Sequence, residues 1–334
     1  MRNITRVALP IAIGAIVAGL VLRRIQRNLR TQSLRGKTFV IIGASSGFGK
    51  GIALRLGEYG ANIVLAARRT ELLDDIAVKI QHSGGRATSF TLDISDKDEL
   101  ERLAEFAKNS YGNVDAWINN SGVFMVGKFW EIPIDEQDRL IDVNLKGILY
   151  ATHTAVKLFI DQGYGTIINM GSIDSEIPTA YNSAYSATKA GVRSIGQSLN
   201  QELRLNGLNK IKVVTIHPWA VDTPLWQHAA NYSGGTPRMA AMDPPRKVVD
   251  TVIKSLFTRP KEVPVGYKAK TFFHFHRLFP HTSERMTANI VHKYQFQDAP
   301  PADDTSGTLN EPMYAGTGID DGVRQRIRWE DNNQ

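Results

Sequence analysis

Tyr185 and Lys189 stand four residues apart in a segment, 183–206, whose pattern reads as helix. Residues at i and i+4 share one helix face, and a cation beside a phenol favours its deprotonated form. The pairing makes a proton-transfer group of a side chain with an ordinary pKa of about 10. Ser172 lies thirteen residues before Tyr185, just after an apolar run, 167–170, that reads as a buried strand. A hydroxyl there can donate to an oxygen on which charge grows, while the phenol gives or takes the proton. Together they suit chemistry at a carbonyl or a secondary alcohol. Tyr-x-x-x-Lys spacing alone is common on surface helices, and Ser172 could equally cap a helix or turn.

The elements that must position these groups begin upstream. Residues 38–42 form an apolar, β-branched run, followed at once by Gly43-Ala44-Ser45-Ser46-Gly47-Phe48-Gly49 and a helical pattern carrying Ile52, Ala53 and Leu56. Strand, glycine turn and helix in succession is the context that gives such a loop meaning. Residues without a Cβ let backbone N–H groups and the helix N-terminus approach a pyrophosphate. The spacing is Gly-x-x-x-Gly-x-Gly, and a merely flexible turn is the plain alternative. The next strand, 62–67, ends in Arg68-Arg69, with no acidic residue between Asn62 and Thr70. An acid near this strand end usually holds the ribose 2′-hydroxyl of NAD, whereas an arginine accepts the 2′-phosphate of NADP. The expectation is therefore NADP, with Arg68 on the phosphate; two solvent-facing arginines at a helix start are the alternative.

Seven parallel strands are expected at 38–42, 62–67, 87–92, 114–119, 166–170, 212–217 and 262–265, with helices between them. That alternation gives an α/β, doubly wound Rossmann-type fold, a seven-stranded parallel sheet with helices on both faces. In such sheets ligands gather beyond the carboxyl ends of the strands. Ser172, the turn 119–122 and the loop 218–224 all belong at that edge.

The ordered series resembles the short-chain dehydrogenase/reductase family over roughly residues 36–266. Gly43, Gly47 and Gly49 match its glycine loop, and Asn119-Asn120-Ser121-Gly122 its turn after the fourth strand. Asn144, Ser172, Tyr185 and Lys189 match its active site. The resemblance implies NADP contacts from Gly43, Ser45, Ser46, Gly47, Phe48, Gly49, Arg68, Asp93, Asn120, Tyr185, Lys189, Pro218 and Thr223. Asp93 would lie on the adenine, Thr223 on the nicotinamide amide and Lys189 on the nicotinamide ribose. It further implies that Ser172 polarises a carbonyl, that Tyr185 is the acid/base, and that Asn144 positions a water beside Lys189. Asn144 could equally be structural, and Asn119 and Asn120 are expected to tie strands together. Departures are Ile42 for a frequent threonine, Ser121 for alanine, and Pro218-Trp219 for Pro-Gly. Trp219 either walls the substrate pocket or packs in the core. The long patterns at 135–161 and 183–206 match the family's dimer helices, so a homodimer or homotetramer is expected.

The ends of the chain suggest further segments. Residues 7–22 carry no charge, short of the roughly twenty residues a span needs. Flanking Arg6 and Arg23 could extend it by snorkelling, and the arginines after it place the remainder on the cytoplasmic side. The expectation is a single-pass membrane anchor with a basic juxtamembrane segment over 1–35; a cleaved signal peptide and a surface-lying or buried helix are alternatives. Residues 36–266 are the expected NADP-binding catalytic domain. An amphipathic extension at 267–297 would lie against the cleft, a membrane surface or the core. From Asp298 the composition suggests a poorly ordered tail, or one wrapped over its own domain or a partner.

The formal net charge of +7 is concentrated near the N-terminus and does not suggest nucleic acid. Cysteine is absent, which rules out disulfides and thiol chemistry. The eight histidines show no metal-ligand spacing, so no metal is expected. The expected activity is NADP(H)-dependent interconversion of a carbonyl and a secondary alcohol, on a lipophilic substrate enclosed by the loop 224–245. A dehydratase or epimerase on the same framework, and an NADP-binding membrane scaffold or redox sensor without turnover, are the alternatives.

Overall fold

A computed structural model describes residues 31–332. The strands β1 (Thr38–Ile42), β2 (Asn62–Ala67), β3 (Arg86–Thr91), β4 (Ala116–Asn119), β6 (Gly165–Met170), β7 (Ile211–His217) and β9 (Glu262–Pro264) form one parallel sheet in the order β3-β2-β1-β4-β6-β7-β9. The expected seven-stranded, doubly wound α/β sheet is thus present, with boundaries displaced by a residue or two. Two strands absent from the sequence reading, β5 (Met125–Gly127) and β8 (Ala230–Tyr232), pair with each other beyond the sheet. At three residues each they carry too little periodicity to be seen in sequence.

Both faces of the sheet are buried, as parallel sheets require. The period-two alternation divides β1 between two cores. Val40 and Ile42 pack with helices α3 (Lys97–Tyr111), α5 (Gly147–Gln162) and α6 (Ser183–Leu205). Phe39 and Ile41 pack with α1 (Gly47–Glu58), α2 (Thr70–His82) and α7 (Arg246–Thr258). The strand order reverses direction between β1 and β4, which opens a crevice beyond their carboxyl ends.

The pattern at 135–161 is one element with an insertion. Helix α4 (Ile134–Ile141) runs through a π-turn, Asp142–Lys146, into α5. Helices α8 (Gly266–Leu278) and α9 (Pro280–His292) follow β9, and the chain ends in α10 (Val323–Asn332). The segment between α9 and α10 travels back across the sheet edge. Asn231 and Thr305 exchange backbone hydrogen bonds, and the carboxylate of Asp222 accepts from the N–H of Val323 at the start of α10.

The membrane assignment is corrected. Among the described residues no helix is long and apolar enough to cross a membrane, and residues 7–22 lie outside the described residues. The single-pass anchor, its membrane partner and the cytoplasmic orientation derived from it are withdrawn. A stretch of sixteen uncharged residues falls below the length of a full span.

Candidate active site

Beyond the carboxyl ends of β1 and β4 the glycine loop meets the turn that follows β4. A Cβ on Gly49 would stand 2.1 Å from the Gly43 carbonyl oxygen and 2.7 Å from Asn120 Nδ2. Asn120 Nδ2 donates to that same carbonyl at 2.9 Å. Gly43, at φ +82°, leaves no room for a side chain against Ser121. Backbone packed this closely presents the first N–H groups of α1 to the crevice, and its N-cap, Ser46, makes no side-chain capping bond. The crevice is lined by Gly43, Ser45, Ser46, Gly47, Phe48, Arg68, Arg69, Asp93, Asn120, Tyr185, Lys189 and Thr223. Amide donors at a helix N-terminus beside two guanidinium groups fit a phosphate-bearing dinucleotide.

The tail supplies acceptors to these donors. Gly47 N–H donates to the Gly318 carbonyl at 2.8 Å, and Lys50 Nζ to the Thr317 carbonyl at 2.7 Å. Arg68 donates to the carbonyls of Thr308, Leu309 and Asn310. Arg69, beyond the expected set, donates to Ser45 Oγ and Ser46 Oγ at 2.8 Å and to the Met313 carbonyl at 2.7 Å. It is the buried member of the pair. Both arginines were visible in sequence, but which one reaches the serines depends on side-chain direction at the strand end. Asp93, at the crevice wall, pairs with Arg139 at 2.6 Å, and Arg139 Nε donates to the Leu309 carbonyl. Arg139 falls within the α4 pattern and gave no signal in sequence.

A second cavity opens beside the first. Ser172, Tyr185, Pro218, Trp219, Trp226, Met239 and Phe272 are among its walls, with Phe124, Ile173 and Leu225. Pro218 therefore faces this cavity rather than the dinucleotide crevice, and its carbonyl accepts from the Ile173 N–H. Trp219 is a wall residue, edge-on to Phe272 of α8 at 5.5 Å. Thr287 and Val291 of α9 complete the cover. Phe48, Gly171, Tyr185, Thr223 and Leu225 belong to the walls of both cavities.

Helix α6 brings Tyr185 and Lys189 to this junction. Tyr185 is held edge-on against Phe124 at 5.0 Å. Lys189 Nζ donates to the Met170 carbonyl at 3.0 Å and lies 5.5 Å from the Tyr185 ring centroid. Burial pushes the Tyr185 phenol up, as does the nearby charge of Asp174, against the pull of its hydrogen bond with Ser172. The spacing argument expected Lys189 to favour the phenolate. Here desolvation outweighs it, and burial lowers the Lys189 ammonium to about 8. Asn144, at the centre of the π-turn, accepts from Val123 N–H and donates to its carbonyl, each at 2.8 Å. A Cβ on Gly122 would meet Asn144 Oδ1 at 3.4 Å and Lys189 Nζ at 3.5 Å, so both polar groups flank the same glycine. Asn119 Nδ2 donates to Asn169 Oδ1 at 2.8 Å, tying β4 to β6.

Ser172 caps the single turn Ile173–Ser175 and also faces the second cavity. Asp174, which the sequence reading passed over, follows it; an acid in a short turn is unremarkable in sequence because turns favour Asp. Among the described residues no group of three or more His, Cys, Asp or Glu side chains could hold a metal ion.

The family model for short chain dehydrogenases matches residues 37–232. An uncharacterized oxidoreductase of Staphylococcus aureus (strain USA300) is 35% identical over 233 residues, 70% of this chain and 96% of its own. The uncharacterized oxidoreductase YxnA of Bacillus subtilis (strain 168) is 29% identical over 300 residues, 89% of this chain and 83% of that protein. Among solved structures, a short-chain dehydrogenase from Streptomyces avermitilis superposes with a TM-score of 0.66 at 27% identity, covering 75% of this chain and 96% of its own. An alcohol dehydrogenase from the archaeon Thermococcus sibiricus, complexed with 5-hydroxy-NADP, gives 0.59 at 25% identity, covering 69% and 95%. With its parallel sheet, glycine loop and paired cavities, this chain belongs to the short-chain dehydrogenase/reductase family of NAD(P)-dependent oxidoreductases.

Proposed function

We propose that the protein is an NADP(H)-dependent oxidoreductase that interconverts a lipophilic carbonyl compound and its secondary alcohol, with Tyr185 as the acid/base. The observation that carries this reading is the position of Tyr185 on the wall shared by the dinucleotide crevice and the second cavity. A group placed there reaches a substrate oxygen while the reacting carbon faces the cofactor side. NADPH, when bound, supplies the hydride. Gly43, Ser45, Ser46, Gly47, Phe48, Gly49 and Asn120 would hold its pyrophosphate and adjoining sugar. Arg68 and Arg69 would hold the 2′-phosphate, Asp93 the adenine side, and Lys189 and Thr223 the nicotinamide end.

The chain's own part is polarity and a proton. Ser172 donates a hydrogen bond to the substrate oxygen, where negative charge grows. Tyr185 transfers its proton to that oxygen as the general acid. Its raised pKa keeps the phenol protonated at neutral pH, which suits the reducing direction. Lys189, with a water positioned by Asn144, would form the route by which the phenol regains a proton from solvent; the two side chains flank Gly122. Apolar walls from Phe124, Ile173, Trp219, Leu225, Trp226 and Phe272 favour a lipophilic substrate. Exposed Leu149 and Ile160 on α5 and Leu205 on α6 suit the homodimer or homotetramer expected from the family's helix interface.

The test is NADPH oxidation, followed by loss of its absorbance, against a panel of long-chain, aromatic and polycyclic ketones and aldehydes. Stoichiometric alcohol formation supports the reading. Cofactor binding with no turnover across the panel favours a scaffold or sensor, and turnover without net NADPH consumption favours a dehydratase or epimerase.

A further inference from the structure

Asp174 lies two residues after Ser172 and its carboxyl is buried against the active site. Oδ2 is 3.2 Å from Ser172 Oγ, and Oδ1 is 2.9 Å from Thr179 Oγ1, whose single hydrogen is shared with Asn182 Oδ1 at 2.6 Å. The Asp174 backbone N–H donates to the same Ser172 Oγ at 3.2 Å. Its side chain thus meets two hydroxyls and, among the ion pairs of the described residues, no Lys or Arg. The cation whose charge acts on it is Lys189, which forms no ion pair with it and donates to the Met170 carbonyl. A carboxyl buried without an ion-pair partner favours its neutral form.

The hydrogen on Ser172 is the point at issue. A serine hydroxyl has one hydrogen and two lone pairs. Facing a carboxylate, it donates to Asp174 Oδ2 and has nothing left for a substrate. Facing a carboxylic acid, it accepts from Asp174 and its own hydrogen is free to turn into the cavity. Building on the function proposed above, we propose that Asp174 is a positioning residue for Ser172. Carrying a proton, it donates to Ser172 Oγ and directs the serine hydrogen at the substrate oxygen; ionised, it withdraws that hydrogen.

The surroundings fix the direction of the pH dependence. Burial raises the Asp174 carboxyl to about 6, against the pull of Thr179, Ser172 and Lys189. Helix α6 presents Tyr185 and Lys189, and the covering loop presents Arg238, which is paired with Glu330 and Asp331. Helices α8 and α9 present the uncharged Phe272, Thr287 and Val291. Glu176, further along the turn, is engaged by Arg193 and Arg277. Carbonyl polarisation by Ser172 is therefore half-maximal near pH 6 and declines as pH rises through that value.

Two measurements on the full chain test this. The first is kcat for carbonyl reduction from pH 5 to 8 in wild type, D174N and D174A. An asparagine amide reproduces the donor of the protonated acid at every pH. Wild-type kcat should fall roughly 100-fold, the D174N profile should lack that limb, and D174N should outpace wild type at pH 8. D174A should be slow throughout with cofactor KM unchanged. A D174N profile carrying the wild-type limb, or D174A with wild-type kcat, overturns the proposal.

The second is the infrared C=O stretch of a protonated carboxyl, read without substrate or cofactor. Read as the difference between wild type and D174N, it should be present at pH 5, fade by pH 8 and shift in S172A. A wild-type minus D174N difference with no such band at pH 5, or one that persists unchanged at pH 8, also overturns the proposal. The infrared result stands even if no carbonyl is turned over or Y185F is fully active, outcomes that would sink the function proposed above.

Discussion

The backbone N–H of Gly47, the first residue of α1, donates to the carbonyl of Gly318 at 2.8 Å, so a segment far along the chain occupies a donor of the glycine loop. A pyrophosphate that takes this N–H must displace the carbonyl. The contact with Lys50 and those with Arg68 and Arg69 come from the same tail segment. Replacing residues 311–319 by a glycine–serine linker of equal length, with α10 kept, strips the side chains that hold the Met313, Thr317 and Gly318 carbonyls in place and leaves the carbonyls on Arg68 as they are. At about 1 kcal/mol net per hydrogen bond, the Kd for NADPH should fall roughly five- to twentyfold. Fluorescence titration measures it; weaker binding would mean the tail assists rather than competes.

Arg69 joins Ser45 and Ser46 in a cluster of polar groups on the crevice wall. Charge-assisted hydrogen bonds are worth about 1.5–3 kcal/mol. Arg69→Ala should therefore lower the ratio of kcat/KM for NADPH to that for NADH by roughly 10- to 100-fold. Arg68→Ala should act in the same direction by a smaller factor, because Arg68 donates to tail carbonyls alone whereas Arg69 also meets Ser45 and Ser46. An unchanged ratio in both variants would remove the NADP assignment.

Tyr185→Phe keeps the edge-on contact with Phe124 and removes only the hydroxyl. The expected loss in kcat is about 10²–10⁴-fold, with the Kd for NADPH within a factor of two of wild type. Stopped-flow turnover and equilibrium binding, read on the same preparation, separate the two effects.

Glu262 fastens the last strand of the sheet to α6. Hydrogen bonds from His217, Arg193 and Gln197 hold its carboxyl well below the usual carboxylate range, against the opposing effect of burial. A depressed carboxylate contributes stability that is present above its unfolded value, about 4.3, and is lost as pH falls through its folded value. Glu262→Gln should destabilise the protein by about 1–2 kcal/mol at pH 7, and the difference should shrink steadily as pH falls below about 4.3. Denaturant titrations at neutral and acidic pH provide the comparison; a difference that grows toward low pH contradicts the linkage.

Much of the architecture was legible because it is written in short-range patterns. Strand β1, its glycine turn and α1 are contiguous, so the apolar run, the residues lacking a Cβ and the helical periodicity identify one another. The same holds for Tyr185 and Lys189, whose shared helix face follows from spacing alone. Less legible were features set by close packing. The π-turn at Asp142–Lys146 accompanies the paired hydrogen bonds of Asn144 with Val123, a partner 21 residues away. The short pair β5 and β8 depends on two loops meeting. The membrane anchor was overdrawn from hydropathy, since sixteen uncharged residues satisfy composition without satisfying length.

The sequence by itself determined the doubly wound sheet, the place of the crevice and the residue types around it, because period, spacing and glycine content act locally. Only the tertiary structure decided which arginine meets the serines, what covers Arg68, and that Asp174 shares its hydrogen bonds with Ser172. Arg68 and the Thr308 carbonyl are 240 residues apart. No local pattern encodes that meeting; it follows from the path by which the chain buries its last apolar side chains, Leu309, Val323 and Ile327, against the finished domain.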